Sequence, residues 1–358
     1  MRTFVTGSTG LLGNNLVRRL LEDGHEVFAL ARSKDKAARE LGDTEARIVI
    51  GDMTDVAGFA DALSGVDVVF HTAAFFRDYF APGEHSKIID RVNVDGTMDL
   101  ARAAHARGVA KMIDTSSSGI IGLKADGSPG DEQTPAWPGA EKNLYLRSKR
   151  RTEPLLREFS RETGFFVASA LPGWMWGPRD AGPTASGQLA FDALAHKLPP
   201  VIPPGGSSTA DVRDVAAGML RIAEMGRSGE RYILSGRYVD LGEILTGLAA
   251  LTAAKAPQMR IPFAGALTMA IIAETWSRIT GTTSPITLEG IRLMNARLAV
   301  TAAKAERELG VTFRPFEETL ADTVAWSRAR LQENGTAGVQ QSETASDSPQ
   351  LRFHGAAR

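Results

Sequence analysis

The sequence predicts an α/β protein: a doubly wound parallel sheet followed by a smaller C-terminal lobe. Two observations support this prediction. Short apolar, strand-like segments alternate with helix-periodic segments through the first half of the chain, and a glycine-rich turn joins the first strand to the first helix. Such alternation produces right-handed strand–helix–strand units and a parallel sheet with helices on both faces. At 358 residues the chain is long for a single core, so we expect one large or two closely packed domains.

The composition excludes several classes of site. Charged residues make up 23% of the chain and the net charge is −1 with both signs interspersed, which indicates neither a nucleic-acid nor a membrane partner. The absence of cysteine excludes a thiol nucleophile and disulfides, and the six histidines have no metal-binding spacing. The apolar stretch near residues 261–273 is shorter than the roughly 20 residues of a membrane span. Because a strand begins at Arg2, we expect no signal peptide and a cytoplasmic protein.

The predicted strands are short apolar runs bounded by glycine or polar residues. They cover residues 2–6, 26–31, 46–50, 67–71, 110–115, 165–171 and 231–234. Helix-periodic segments lie between and after them. They cover residues 11–23, 35–41, 56–63, 85–107, 143–162, 240–253, 264–280, 286–297, 301–309 and 316–331.

Prolines become frequent from Pro172 onward, and the regular alternation loosens there. We therefore assign residues 1–172 to the sheet domain, completed by the strand at 231–234, and residues 173–334 mainly to a substrate-binding lobe. The last stretch, 335–358, is rich in Ser, Thr, Gln and Gly and has few apolar residues. It is therefore predicted to be disordered.

Three glycines lie between the first strand and the first helix. Glycines at this place let the backbone turn tightly and approach a pyrophosphate, which then binds at the helix N-terminus, where free N–H groups favour an anion. The segment therefore predicts a Rossmann-type dinucleotide site, and the alternative is a tight turn that binds no ligand. The residues assigned to this site are Gly7, Thr9, Gly10, Leu11, Leu12 and Gly13.

Arg32 follows the second strand, at the position that approaches the adenosine ribose in such folds. A carboxylate there accepts hydrogen bonds from the ribose of NAD, whereas a basic side chain accommodates the 2′-phosphate of NADP. The sequence reads Ala31-Arg32-Ser33-Lys34, without an acid. It favours NADP, with Ser33 as a helper, and leaves NAD possible. The alternative is a surface arginine that contacts no ligand.

Two further strand ends carry candidate cofactor contacts. Asp52, after the third strand, can bind the adenine amino group, and Met53 can pack on the ring. Thr72, Ala73 and Ala74 follow the fourth strand. Small residues at the carboxyl end of a strand allow a cofactor to pass close to the backbone.

Tyr145 and Lys149 are four residues apart in a predicted helix, so both project from one face. A lysine ammonium beside a phenol favours the phenolate and lowers the tyrosine pKa from about 10. A tyrosine tuned in this way can exchange a proton with an alcohol or alkoxide. A serine from the run Ser116-Ser117-Ser118, at the end of the fifth strand, can hold the substrate oxygen. Beside a nicotinamide that transfers hydride, this set predicts an oxidoreductase.

These motifs, in this order, resemble the extended branch of the short-chain dehydrogenase/reductase superfamily. The shared elements cover about residues 1 to 330 and are Gly7-x-x-Gly10-x-x-Gly13, Asp52, His71-Thr72-Ala73-Ala74, Asn93-Val94-Asp95-Gly96-Thr97, the serine run and Tyr145-x-x-x-Lys149. The resemblance implies an NAD(P)-dependent oxidoreductase, epimerase or dehydratase. It also implies that members often pair as homodimers through helices flanking the sheet.

The resemblance assigns roles to individual residues. It implies that Ser117 is the catalytic serine, because of its place relative to Gly122. It implies that Lys149 also binds the nicotinamide ribose, that Asn93 belongs to the cofactor site, and that Pro172 and the following glycine lie along the nicotinamide carboxamide.

The substrate is predicted to be a hydrophobic ketone or aldehyde, or the corresponding alcohol. Sugar-nucleotide epimerases in the superfamily carry an arginine that clamps a diphosphate, and residues 205–210 contain none. Residues 75–80 and 174–176 instead supply aromatic side chains for an apolar site, unless these only pack the two lobes together. An NAD-dependent sugar epimerase or dehydratase is the alternative enzyme. A sensor that binds the cofactor without catalysis is disfavoured because Tyr145 and Lys149 are both present.

Overall fold

The computed structural model describes residues 1–76, 85–280 and 287–346. Its strands in chain order are β1 (Arg2–Thr6), β2 (Glu26–Ala31), β3 (Arg47–Ile50), β4 (Val68–His71), β5 (Lys111–Thr115), β6 (Phe166–Pro172), β7 (Trp174–Trp176), β8 (Val201–Ile202), β9 (Gly206–Asp211), β10 (Arg231–Leu234), β11 (Tyr238–Asp240) and β12 (Met259–Arg260). Its helices are α1 (Leu11–Glu22), α2 (Lys34–Leu41), α3 (Ser86–Ile89), α4 (Gly96–Ala106), α5 (Leu144–Thr163), α6 (Ala185–Leu194), α7 (Val212–Met225), α8 (Leu241–Thr252), α9 (Phe263–Thr280), α10 (Leu288–Asn295), α11 (Ala303–Leu309) and α12 (Phe316–Ser346).

Seven strands form one parallel sheet in the order β10–β6–β5–β4–β1–β2–β3, which confirms the predicted doubly wound fold. The chain builds the sheet outward from β1 to β3, then restarts at β4 on the other side of β1. The strand order therefore reverses between β1 and β4. Ligands of open α/β sheets bind at such a switch point, beyond the carboxyl ends of the strands.

Helices cover both faces of the sheet. On one face α1 and α7 pack together over an apolar core that includes Val5, Leu16 and Val215. On the other face α4 and α5 cover a core that includes Phe4, Met98 and Leu156. Residues 56–63, predicted as a helix, form a 3₁₀ helix at Ala57–Leu63. The helix predicted at 85–107 is made of α3, a π-helical turn at Asp90–Asp95 and α4.

The second lobe has its own apolar core, around Trp176, Val239, Leu248, Phe316 and Leu320. Two small sheets, β11–β9–β7 and β12–β8, support it. The chain nevertheless returns to the large sheet several times, because α7, β10 and α11 all pack in the sheet layers. The lobe at 173–334 is therefore interwoven with the sheet domain rather than appended to it.

The last helix, α12, extends to Ser346, whereas the sequence predicts a helix end at 331 and disorder from 335. Residues 335–346 are helical, and the rest of the stretch predicted to be disordered lies outside the described residues. A segment with few apolar residues has little to pack against the core, but it can still continue a helix that has already formed. Adding a residue to an existing helix is far easier than nucleating one. None of the helices in the described ranges is long and apolar enough to cross a membrane.

Candidate active site

The glycine-rich turn has the geometry of a phosphate cradle. Gly7 has φ +66°, and a Cβ there would lie 2.7 Å from the backbone nitrogen of Ala73. A Cβ on Gly13 would lie 2.2 Å from the Gly7 carbonyl oxygen, so the start of α1 packs directly on the turn. A Cβ on Gly10 would have only the Gly7 oxygen, at 3.2 Å, as a near neighbour. Gly7 and Gly13 are therefore required for packing, whereas the surroundings of Gly10 are less crowded and a pyrophosphate can bind there.

The N-terminus of α1 is available to an anion. Gly10 is the N-cap residue, and no side chain caps the helix. Leu11 and Leu12 bury their side chains, so they offer backbone N–H groups, and Thr9 lies half-exposed in the turn. Uncapped N–H groups and the helix dipole attract negative charge. The residues present thus fit the pyrophosphate of a dinucleotide.

His71, at the end of β4, is fully buried and joins the switch point to helix α4. The Thr6 hydroxyl accepts from the backbone N–H groups of Thr72 and Ala73, each at 3.2 Å, so its own proton is directed to His71 Nδ1 at 2.7 Å. Nε2–H donates to the Thr97 hydroxyl at 2.9 Å. Burial lowers the pKa of His71 to about 3, so the ring is neutral and structural.

The residues assigned to the adenosine half lie on the β2 and β3 side of the switch point. Arg32 is exposed at the end of β2, and Ser33 caps α2 by accepting from the Lys36 N–H at 3.3 Å. Asp52 Oδ1 accepts from the backbone and hydroxyl of Thr54, both at 2.8 Å. Met53 is buried in the core beneath the sheet. Asp52 is thus held in place by Thr54, while Met53 is almost fully buried.

The three serines after β5 have different surroundings. Ser116 is buried and donates to Glu153 Oε1, and Ser118 is buried as well. Ser117 is partly exposed, and its Oγ accepts from the Gly119 N–H at 3.2 Å. That contact leaves the Ser117 proton free to donate. Of the three, Ser117 is the only one whose side chain is not buried.

Helix α5 brings Tyr145 and Lys149 together on one face, as their spacing predicts. Asn143 starts the helix by accepting from the Leu146 N–H at 2.9 Å. The Lys149 ammonium lies 5.8 Å from the centre of the Tyr145 ring. It also donates to the Thr115 carbonyl at 2.6 Å, which ties the helix to the end of β5. The helix continues through Pro154, which is exposed and has no N–H to donate to the carbonyl four residues earlier.

The sequence predicts that Lys149 lowers the pKa of Tyr145, and in the protein without ligands this prediction is wrong because the pKa is raised. Burial, with a smaller contribution from the charge of Asp114, raises the pKa of Tyr145 above its ordinary value of 10.0. Burial lowers the pKa of Lys149, while Asp114 and Glu153 oppose that shift. Sequence spacing cannot report how deeply a helix face is buried. Tyr145 is therefore a protonated phenol at neutral pH.

Sequence reasoning missed two buried carboxylates beside Lys149. Asp114 on β5 is 1% exposed, and neither of its oxygens has a hydrogen-bond partner among the described residues. Glu153, one helical turn after Lys149, is buried and pairs with Arg231 at 3.0 Å. An acid inside an otherwise apolar strand and an acid four residues after Lys149 were the available signals.

Asn93 lies in the π-helical turn and is fully buried. Its Oδ1 accepts from the Phe75 N–H at 2.7 Å, and its Nδ2 donates to the Phe75 carbonyl at 3.2 Å and to Ser148 Oγ at 3.1 Å. These bonds connect the segment after β4 to helix α5. At the other side of the site, Pro172 ends β6 and is buried beside Gly173, where a Cβ would lie 2.3 Å from Ser235 Oγ.

The aromatic residues divide between the site and the lobe core. The Phe76 ring lies 4.7 Å from the Tyr145 ring, so Phe76 lines the site. Trp176 is fully buried and packs edge-on against Phe316 at 5.8 Å, in the core of the second lobe. Trp174 is half-buried and lies 5.1 Å from the Trp176 ring. Residues 77–80 of the aromatic segment lie outside the described residues.

A Rossmann sheet with a phosphate cradle at its switch point and a tyrosine–lysine pair beside it defines an NAD(P)-dependent oxidoreductase of the short-chain dehydrogenase/reductase type. The chain belongs to the NAD dependent epimerase/dehydratase family, whose model matches residues 3–235.

Similar proteins span nearly the whole chain. Sterol demethylase protein B of Methylococcus capsulatus is 34% identical over 92% of this chain and 99% of its own. The 4-hydroxy-2-methyl-3-oxo-4-farnesyl-3,4-dihydroquinoline-1-oxide ketoreductase of Stigmatella aurantiaca is 32% identical over 88% of this chain and 92% of its own. The crystal structure of gox2253 superposes with a TM-score of 0.77 at 31% identity, covering 92% of this chain and 98% of that one.

Proposed function

We propose that this protein is an NADPH-dependent reductase of a hydrophobic ketone or aldehyde, or the dehydrogenase that runs the reaction in reverse. The observation that supports this most directly is that Lys149 of α5, one helical turn after Tyr145, is bonded to the end of β5, two residues before Ser117. Lys149 itself joins the two elements through the Thr115 carbonyl at 2.6 Å. The phosphate cradle at the neighbouring switch point would hold the dinucleotide that supplies or accepts hydride.

Each side chain has a role that its surroundings support. Ser117 donates to the substrate oxygen. Its Oγ accepts a bond from the Gly119 N–H at 3.2 Å, and this bond leaves the hydroxyl proton free to donate. Tyr145, a protonated phenol, donates its proton to the alkoxide as the carbonyl is reduced. The Lys149 ammonium stabilises the phenolate left behind. In the oxidation direction the same groups act in reverse order.

We propose NADP rather than NAD as the preferred cofactor. Arg32 is exposed at the end of β2, where a 2′-phosphate would lie, and Ser33 opens the adjacent helix. A guanidinium binds phosphate by a pair of parallel hydrogen bonds. No acidic residue occupies the end of β2 to select the unphosphorylated ribose.

The proposed substrate is apolar because of what lines the site and what is missing from it. Phe76 packs against Tyr145 at 4.7 Å. Two relatives that are 34% and 32% identical carry names that refer to a sterol and to a farnesylated quinoline, both largely apolar molecules. The basic residue after β9, Arg213, pairs with Asp211 and Asp322, each at 2.7 Å, so it is not free to clamp a diphosphate. The sugar-epimerase alternative is supported by the family and by UDP-glucose 4-epimerase of Mycolicibacterium smegmatis, which is 30% identical over 78% of this chain and 91% of its own.

Oxidation of NADPH by the purified protein, with an alicyclic or aromatic ketone as acceptor, tests the proposal. Tyr145→Phe should lower kcat by at least ~10²-fold. Tyr238→Phe is a matched control, because the Tyr238 hydroxyl has no hydrogen-bond partner among the described residues. Turnover that survives in Tyr145→Phe contradicts the mechanism. Stoichiometric NAD⁺ released by denaturation, together with conversion of UDP-glucose, would support the epimerase instead.

A further inference from the structure

Helix α9 (Phe263–Thr280) presents a stripe of large apolar side chains to solvent. Met269, Ile272, Trp276 and Ile279 are 37%, 64%, 66% and 74% exposed, at spacings of three or four residues that place them on one face of the helix. We call these four residues the α9 stripe. Scattered exposed hydrophobic residues are ordinary, but a continuous apolar row marks a surface for a protein or a membrane.

The polar groups beside the α9 stripe are already satisfied within the helix. The hydroxyls of Thr268, Thr275 and Thr280 donate to the carbonyls four residues earlier, at 3.0, 2.7 and 2.9 Å. Their methyl groups, rather than free hydroxyls, are therefore presented outward. Among the described side chains, the outer face of α9 thus offers few groups for hydrogen bonding apart from the indole N–H of Trp276.

This pattern suits lipid better than a protein partner. A protein interface carries about one hydrogen bond per 100–200 Å² and a polar rim. A lipid surface needs apolar side chains with internally satisfied polar groups, and tryptophan prefers the depth of the headgroups, where its ring is buried and its N–H remains hydrated. The α9 stripe covers about 15 Å of helix, which fits a helix lying along the surface rather than crossing it.

The inner face of α9 leads toward the candidate active site. Ala266 and Ala270 pack against Ile291 of α10, and Glu274 accepts from the Leu288 N–H at 2.8 Å. Helix α10 in turn contacts the start of α5, where Asn143 donates to Glu289 at 3.2 Å. A residue of α10, Leu293, packs against the same apolar cluster as Tyr145. The helix pair α9–α10 therefore lies between the exposed stripe and the tyrosine.

We propose that the α9 stripe docks the protein on the surface of a lipid bilayer, so that an apolar substrate dissolved in the bilayer reaches the site past α10. The proposal rests on the proposed function for its substrate. It differs from the sequence-based expectation of no membrane partner, which considered net charge and spanning length only. Helix α9 contains one acidic and one basic residue, so it changes the net charge by nothing, and it is not apolar and long enough to give a spanning signal.

Flotation with phosphatidylcholine vesicles tests the proposal without any activity measurement. The full-length protein should float with the vesicles, and the combined Ile272→Ser, Trp276→Ser and Ile279→Ser variant should partition about a hundredfold less. The matched control replaces three exposed apolar residues elsewhere, Met225, Leu251 and Leu331, with serine and should float like the parent protein. Circular dichroism and sedimentation velocity establish that all three proteins are folded and report their mass.

Two outcomes overturn the proposal. One is a parent protein that stays at the bottom of the gradient. The other is a parent protein that sediments as a dimer while the stripe variant is a monomer, which would assign the α9 stripe to a second copy of the chain. Tyr145→Phe separates this proposal from the proposed function, because that variant should float normally even though its turnover is lost. Flotation without turnover in the parent protein would contradict the function and leave the docking surface supported.

Discussion

The Lys149 ammonium donates a hydrogen bond of 2.6 Å to the backbone carbonyl of Thr115, so one functional side chain of α5 fixes that helix to the end of β5. Lys149→Met keeps most of the apolar stem and removes the charge and the bond. We expect kcat to fall by about 10²-fold or more, because the Tyr145 phenolate loses its stabilising cation. Steady-state kinetics measure the loss in kcat, and a fluorescence titration with NADPH measures the change in cofactor affinity. Arg150→Met, one residue further along the helix, should leave kcat nearly unchanged.

The serine run offers a matched pair of substitutions. Ser117→Ala should lower kcat by roughly 10²-fold with little effect on stability, since it removes a donor to the developing oxyanion. Ser116→Ala should instead lower stability and change kcat little. It leaves the buried Glu153 carboxylate without the Ser116 donor, at a cost of about 2 kcal/mol in the free energy of unfolding. Urea denaturation and kinetics on both variants check the assignment, and a larger kinetic loss in Ser116→Ala would contradict it.

Asp114 should make stability depend on pH between its unfolded pKa of 3.8 and its folded pKa of about 6. Burial raises its pKa from 3.8 to about 6 in the folded protein. Its contribution is therefore fully present below the unfolded value and is lost as pH rises through the folded value. Asp114→Asn, which cannot ionise, should raise the free energy of unfolding by up to about 3 kcal/mol at pH 8 and change it little at pH 4. Denaturation curves at the two pH values measure the difference, and equal effects at both would contradict the prediction.

The same substitution has a kinetic consequence. The charge of Asp114 helps to raise the pKa of Tyr145. Asp114→Asn should therefore move the acidic limb of the pH–rate profile of the oxidation reaction, where Tyr145 must be deprotonated to accept a proton, to lower pH. A profile that does not move would show that Asp114 acts on stability alone.

Arg32 should control the choice of dinucleotide. Arg32→Asp removes a phosphate-binding guanidinium and supplies a ribose-binding carboxylate, so we expect the KM for NADPH to rise by roughly 10- to 100-fold and the KM for NADH to fall. The exposed Arg39, on the following helix, gives the matched control Arg39→Asp. An unchanged ratio of kcat/KM for the two cofactors would contradict the role of Arg32.

Alanine substitutions at Gly10 and Gly13 should separate loss of cofactor binding from loss of stability. Gly10 has φ −90°, which alanine adopts without strain, and a Cβ there would have only one near neighbour, at 3.2 Å. The Gly10→Ala protein should therefore fold. Its methyl group would occupy the pyrophosphate position, and NADPH affinity should fall by about tenfold or more. Gly13→Ala should instead destabilise the fold, because its Cβ would lie 2.2 Å from the Gly7 oxygen. Thermal melts with and without NADPH distinguish the two effects.

Much of the sheet domain could be predicted because its signals are local. All seven strands of the large sheet were predicted, since each is an apolar run ending in glycine or a polar residue. The pairing of Tyr145 with Lys149 follows from helix periodicity alone. The extent of α12 and the return of α11 to the sheet were not predicted, because a helix end without a strong stop signal and a packing partner distant in sequence leave no local pattern.

The sequence by itself determined the fold class and the glycine-rich turn at the switch point, because glycine turns and helix periodicity act over a few residues and through the backbone. The tertiary structure decided what depends on burial. It left Ser117 as the accessible serine, raised the pKa of Tyr145 instead of lowering it, and placed Asp114 beside Lys149 without a partner among the described residues. It also left one face of α9 exposed. Desolvation is set by atoms that are far apart in the chain, so no local pattern encodes it.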